Sequence, residues 1–166
     1  MKRLPGMLGP VLMVLSFSGG LLIAEEGLAS MDENEVKQGQ KMIREGRVEM
    51  VRSELRLTDE ESSAFWSLYA KYREEADDIQ DRYAAMIQEY LRRYDDADLT
   101  DAYADELIDN FFDIKYQQLG VQKKYLPKFR AVIPSLKVAR LFQLENKLNA
   151  EIDAQLALVI PLVDPS

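Results

Sequence analysis

The chain has 166 residues, enough for one domain or one domain plus a processed segment, and contains neither Cys nor His. Those absences exclude a disulfide framework, a thiolate zinc site, a Cys nucleophile and the imidazole that usually serves as base, metal ligand or near-neutral switch. With 29 acidic against 21 basic residues the net charge is -8, which argues against nucleic acid as a partner, because binding phosphate calls for a basic surface.

At the amino terminus, Met1, Lys2 and Arg3 form a short positive start. An apolar run from Met7 to Ala24 follows, and then the first acids, Glu25 and Glu26. That order is the pattern of a secretory signal peptide, here residues 1–24, with cleavage after Ala24 or as late as Ala29. The alternative is retention as a membrane anchor, a reading that Gly6, Gly9, Pro10, Gly19 and Gly20 weaken. Removal of residues 1–24 leaves 19 bases against 29 acids, a net charge of -10, on a periplasmic or secreted protein. A flexible segment over 25–32, a single helical domain over 33–160 and a tail over 161–166 complete the expected organisation.

The helical domain opens with a weak helix from about Glu33 to Leu55, with Val36, Ile43, Val48, Val51 and Leu55 as an interrupted apolar stripe. Gly39 and Gly46 inside it each cost roughly 1 kcal/mol against Ala where exposed. The second helix carries the strongest signal. Leu57, Thr58 and Glu61 place Thr58 as N-cap with a carboxylate three residues on, a capping box in which each side chain satisfies the other residue's free backbone donor. Phe65, Tyr69, Tyr72, Ala76, Ile79, Tyr83, Met86, Tyr90 and Tyr94 then recur at spacings of three and four, a near-heptad seam of the coiled-coil type. At 1.5 Å per residue such a helix spans roughly 55 Å, so an elongated molecule is expected.

An acidic turn at Asp95, Asp96 and Asp98 precedes a third helix that starts at Thr100 and carries Tyr103, Leu107, Phe111, Ile114, Val121, Tyr125 and Phe129. Pro127 is expected to kink its last turns. Pro134 fits the first turn of a fourth helix, along which Val138, Leu141, Leu144, Leu148, Ile152 and Val159 continue the pattern to Pro161. Short connections between long helices require antiparallel neighbours. The fold expected is all-α, an antiparallel helical hairpin or bundle of three long helices plus a weaker leading one.

Charge is segregated along this pattern. Residues 58–113 hold 17 acids and 5 bases, whereas residues 114–149 hold eight bases and only one acid, Glu145. Two readings follow: the acidic second helix packs beside the basic third and fourth, with surface pairs contributing around 0–1 kcal/mol each, or Tyr116, Lys123, Lys124, Tyr125, Lys128, Phe129 and Arg130 form a basic and aromatic surface that receives a client. Phe65 and Tyr69 are expected to pack on adjacent helices with Trp66 closing the end of that core, while the tyrosines of the seam could equally serve a dimer contact.

The sequence from Leu57 to Glu61, opening a long helix in an exported, Cys-free helical chain, resembles the LTxxQ motif of the periplasmic Spy/CpxP family. Glu61 stands where the family has Gln, which keeps the capping chemistry. The resemblance implies a curved antiparallel hairpin that pairs as a homodimer, and a role as an ATP-independent chaperone or envelope-stress modulator binding unfolded or partner proteins. No membrane insertion is expected after processing, which removes the apolar run. Some relatives sense heavy metals, but without His, Cys or clustered Met no metal site is expected here. The acidic turn at Asp95, Asp96, Asp98 and Asp101 lacks the central Gly and bidentate Glu of a calcium loop. Carboxylate-only catalysis needs two acids across a pocket, which a thin hairpin gives no reason to expect. The reading is therefore a non-enzymatic binding protein without cofactor, the alternative being a structural or regulatory protein that docks on an envelope sensor.

Overall fold

The structure is a computed structural model and describes residues 33–164. The expected signal peptide over 1–24, the segment over 25–32 and the end of the tail lie outside the described residues. Within them the chain forms four helices and no strand: α1 (Glu33–Leu55), α2 (Asp59–Asp95), α3 (Asp101–Val132) and α4 (Ser135–Val159). The all-α expectation holds. The helices divide between two compact units, one containing 33–56 with 144–159, the other 57–143 with the residues from Ile160 onward, so that α4 contributes to both.

The larger unit is built on the α2/α3 hairpin. Thr58 is extended, with φ -76° and ψ 166°. Its Oγ1 accepts from the Glu61 N–H at 3.3 Å while Glu61 Oε2 accepts from the Thr58 N–H at 2.9 Å, closing the capping box. Lys137 Nζ donates to the same carboxylate, which ties the start of α2 to the start of α4. Behind this junction Phe65, Tyr69 and Tyr72 of α2, Tyr125 and Phe129 of α3, and Val138 and Leu141 of α4 are buried. Most of the ring pairs here meet tilted or edge to face, Phe65 with Phe129 at 5.7 Å, Tyr72 with Tyr125 at 5.5 Å and Phe129 with Phe142 at 6.1 Å, while Phe65 and Tyr69 stack at 5.4 Å. Trp66 stands edge-on to Phe65 and Tyr69 at the end of this core, as its position suggests.

Farther along the hairpin, Tyr83 meets Phe111 at 6.4 Å, and Ile79, Ile87, Leu91 and Ile114 are buried. Tyr90 donates its hydroxyl to the Pro161 carbonyl at 2.8 Å, holding the segment after α4 against α2. The turn after α2 is a Schellman closure: Asp98 N–H donates to the Arg93 carbonyl at 2.8 Å and Ala97 N–H to Tyr94 at 3.1 Å. It places Ala97 at φ 53°, a left-handed conformation usually given to Gly. Thr100 then caps α3 by accepting from the Tyr103 N–H at 3.2 Å. Helix α3 runs through Pro127 to Val132. Pro134 stands one residue before α4 instead of in its first turn, and its carbonyl starts the ladder by accepting from Lys137 and Val138.

In the smaller unit, Val51 and Leu55 of α1 and Leu148 of α4 are buried. Arg47 and Glu145 join them, with side chains 1% and 0% exposed and Nη1 to Oε2 at 2.8 Å. Arg47 Nη2 also donates to Asn149 Oδ1 at 2.9 Å, while its Nε has no partner among the described residues. Glu145, the lone acid of the basic segment, is therefore an interior ion-pair partner.

Candidate protein-binding face

Helix α3 has 3.6 residues per turn, so residues close in sequence fan around its axis. The seven residues proposed as a client surface separate on that account. Tyr125 and Phe129 turn inward and belong to the aromatic core. Lys124 and Lys128 lie beside them: Lys124 Nζ is 2.7 Å from both oxygens of Glu75 on α2, and Lys128 Nζ sits 4.3 Å above the Tyr125 ring. Lys124 thus ties α3 to α2, while Lys128 covers a buried ring of its own helix. Tyr116, Lys123 and Arg130 point outward and are exposed.

Beside Tyr116, the outward side carries three apolar residues that sequence reasoning passed over, Ile108, Phe112 and Leu119. Ile108, Phe112, Tyr116 and Leu119 are 53%, 65%, 77% and 54% exposed. Their spacings of 4, 4 and 3 set them in one stripe opposite the buried seam of Tyr125, Phe129 and Ile114. A signal existed in the sequence, because this second apolar period runs beside the first, but one helix in a hairpin needs only one buried face. Burial alone tells the two stripes apart.

Charge divides along the stripe. Asp101, Asp105 and Asp109 lie on its amino-terminal part and Lys123 and Arg130 on its carboxy-terminal part, and no ion pair or side-chain hydrogen bond engages them among the described residues. Gly120 borders the stripe, exposed and inside the helix, and a Cβ built on it would meet nothing within 4 Å. No packing among the described residues explains a residue that costs about 1 kcal/mol against Ala in such a position.

Away from this face, several carboxylates of the hairpin are held by neighbouring bases. Hydrogen bonds from Arg92 and Arg93 hold the Glu89 carboxyl down to about 2. Lys137 first, then the Thr58 backbone, lower Glu61, and Lys124 and Tyr125 lower Glu75. Burial first, then the Glu75 carboxylate, pushes the Tyr125 hydroxyl up to about 12. Carboxylates so stabilised as anions are poor general acids near neutrality. A cleft of about 230 Å³ between α2 and α3, lined by Arg82, Met86, Glu89, Tyr103 and Asn110 among others, is open to solvent and contains one of these fixed carboxylates. Among the described residues no group of three or more acids could hold a metal ion, and no helix is long and apolar enough to cross a membrane.

The chain matches no family model, no curated protein and no solved structure.

Proposed function

We propose that this chain is an exported, non-enzymatic protein-binding protein of the Spy/CpxP kind, holding unfolded or partner envelope proteins on the outer face of α3. The observation that carries the reading is the exposed stripe of Ile108, Phe112, Tyr116 and Leu119. Contiguous exposed apolar side chains rimmed by charge are a feature of protein-contact surfaces. An aromatic pair of Phe and Tyr within the stripe has the composition favoured at interface anchors. The surface is open and linear, which suits an extended or helical segment better than a small molecule, for which concave pockets are the rule.

The test is aggregation suppression of a chemically denatured client by the processed chain, at low and moderate salt. Wild type is expected to suppress aggregation at stoichiometric ratios, and Phe112→Ser combined with Tyr116→Ser to lose most of that effect while keeping its helical signal. Equal suppression by the two proteins would remove the stripe from the account, and none by wild type would remove the client-holding role.

A further inference from the structure

We infer that the amino-terminal half of the outer face of α3 takes short cationic amphipathic peptides, laid on it as helices, and so keeps them from anionic lipid surfaces. The inference rests on the reading of that face as a protein-binding surface and names the chemistry of its ligand.

Residues four apart form a ridge along a helix, and two such ridges make up this half of the face. Ala104, Ile108, Phe112, Tyr116 and Gly120 form the apolar one, with its three large side chains 53%, 65% and 77% exposed. Asp101, Asp105, Asp109 and Asp113 form the other, each three residues before a member of the apolar ridge and therefore beside it. All four carboxylates are exposed. Asp113 accepts from Gln117 at 2.6 Å, and no ion pair or side-chain hydrogen bond engages the other three among the described residues. Residues 101–114 contain five acids and no base. Lys115, which follows, is drawn to α2, with its Nζ 4.5 Å from the centre of the Tyr83 ring.

An apolar ridge beside an acidic one is the complement of a helix that carries an apolar row beside a row of Lys or Arg. Helices dock through anchors spaced three and four residues apart, as Ile108, Phe112, Tyr116 and Leu119 are, and the acidic ridge selects the sign of the partner. Gly120, with open space where a Cβ would stand, lets a partner's backbone come close at the end of the apolar ridge. The same acids turn away anionic lipid, nucleic acid and acidic segments, which would all meet like charge. Length is bounded as well. From Asp101 to Tyr116 the acidic part measures roughly 22 Å, about four turns. Beyond Gly120 the sign reverses at Lys123, Lys124, Lys128 and Arg130. A basic ligand laid along the whole helix would run onto like charge, so the site fits a peptide of about 15–20 residues better than a long basic segment of a protein. Short peptides of this pattern otherwise lie in the plane of anionic bilayers, held there by apolar burial and charge attraction together. The face of α3 offers both, in competition with the lipid.

The probe is a fluorescein-labelled peptide of about 18 residues, built of Leu and Lys in an amphipathic helical pattern and titrated with the processed full chain by fluorescence anisotropy. One control has the same composition in scrambled order, and another keeps the pattern with Glu in place of Lys. Wild type is expected to bind the Leu/Lys peptide with a micromolar dissociation constant that rises with salt, and each control about tenfold or more weakly. Asp105→Lys with Asp109→Lys should bind the Leu/Lys peptide about tenfold or more weakly and gain affinity for the Leu/Glu peptide. Loss of fold would not produce that exchange of preference. Lys123→Asp with Arg130→Asp should bind the Leu/Lys peptide as tightly as wild type or more so. In a second assay the unlabelled Leu/Lys peptide releases dye from vesicles of equimolar phosphatidylcholine and phosphatidylglycerol. Excess wild type should suppress the release, and the Asp105→Lys/Asp109→Lys protein should not. Equal binding of the Leu/Lys peptide by wild type and that variant, or of the patterned and scrambled peptides by wild type, overturns the inference. Binding without protection of the vesicles overturns the competition with lipid. If the peptide is not bound while wild type, but not Phe112→Ser/Tyr116→Ser, suppresses client aggregation, the ligand class is wrong and the protein-binding reading stands. If the peptide is bound as described and no denatured client is held, the ligand class stands and the client-holding role falls.

Discussion

Removal of the Glu145 carboxylate, as in Glu145→Ala, would leave the Arg47 guanidinium buried with Asn149, at 2.9 Å, as its one remaining side-chain acceptor among the described residues. Both members of the pair are 1% exposed or less, so solvent screening gives no discount. Breaking a buried pair from one side costs about 3–5 kcal/mol, against total domain stabilities of about 5–15 kcal/mol. The opposite outcome is expected when both charges go. Arg47→Met with Glu145→Leu also removes the unpartnered Nε, an orphan donor of a kind that costs about 1–3 kcal/mol, and should be neutral or more stable than wild type. Urea unfolding followed by far-ultraviolet circular dichroism gives the stabilities. Amide exchange in α1 and in the second half of α4 locates the loss. A single variant costing less than about 1 kcal/mol, or a double variant as unstable as the single one, would refute the assignment of a buried ion pair.

Three further outcomes follow from the caps and the ion pairs. Thr58→Ala removes the acceptor for the Glu61 N–H and should cost about 1 kcal/mol, read as a lower urea midpoint with the slope unchanged. Ala97→Gly relieves a left-handed alanine and should stabilise by about 0.5–1 kcal/mol, whereas a loss on the same measurement would show that the turn is not strained. Glu89 is depressed to about 2 from an ordinary value of 4.5, with Glu61 and Glu75 depressed as well. A carboxyl that binds its proton more weakly when folded contributes stability above its unfolded value and loses it as the pH falls. The melting temperature should accordingly fall from about pH 4.5 down towards pH 2, and Glu89→Gln should flatten that slope.

Much of the fold was legible because local chemistry and periodicity agreed. Leu55 ends α1 where the apolar pattern stops, Thr58 and Thr100 cap the helices they precede, and the seam expected from Phe65 to Tyr94 is largely buried along α2 as far as Tyr90, with Tyr94 exposed. The site was less legible. Reading residues 116–130 as one surface ignored helical rotation, which sends Tyr125 and Phe129 into the core and leaves Tyr116, Lys123 and Arg130 outside. Arg47 and Glu145 were missed because charged residues are normally placed on solvated faces. Each nevertheless occupies an apolar position of its helix, Arg47 four residues from Val51 and Glu145 between Leu141 and Leu148, and opposite charges at matching core positions were the available clue. Pro134 was set inside α4 because its missing N–H is tolerated there, whereas its carbonyl is what the helix uses.

The central claim is that the outer face of α3 contacts protein, and photocrosslinking measures that contact directly. A photoreactive residue at Phe112, Tyr116 or Leu119, and in separate controls at the exposed Ser63 or Ser67 of α2, is irradiated with and without a denatured client. Crosslinks to client should arise from the three α3 positions and be weak from the controls. Crosslinking that is absent from α3, or equal at the control positions, would contradict the account.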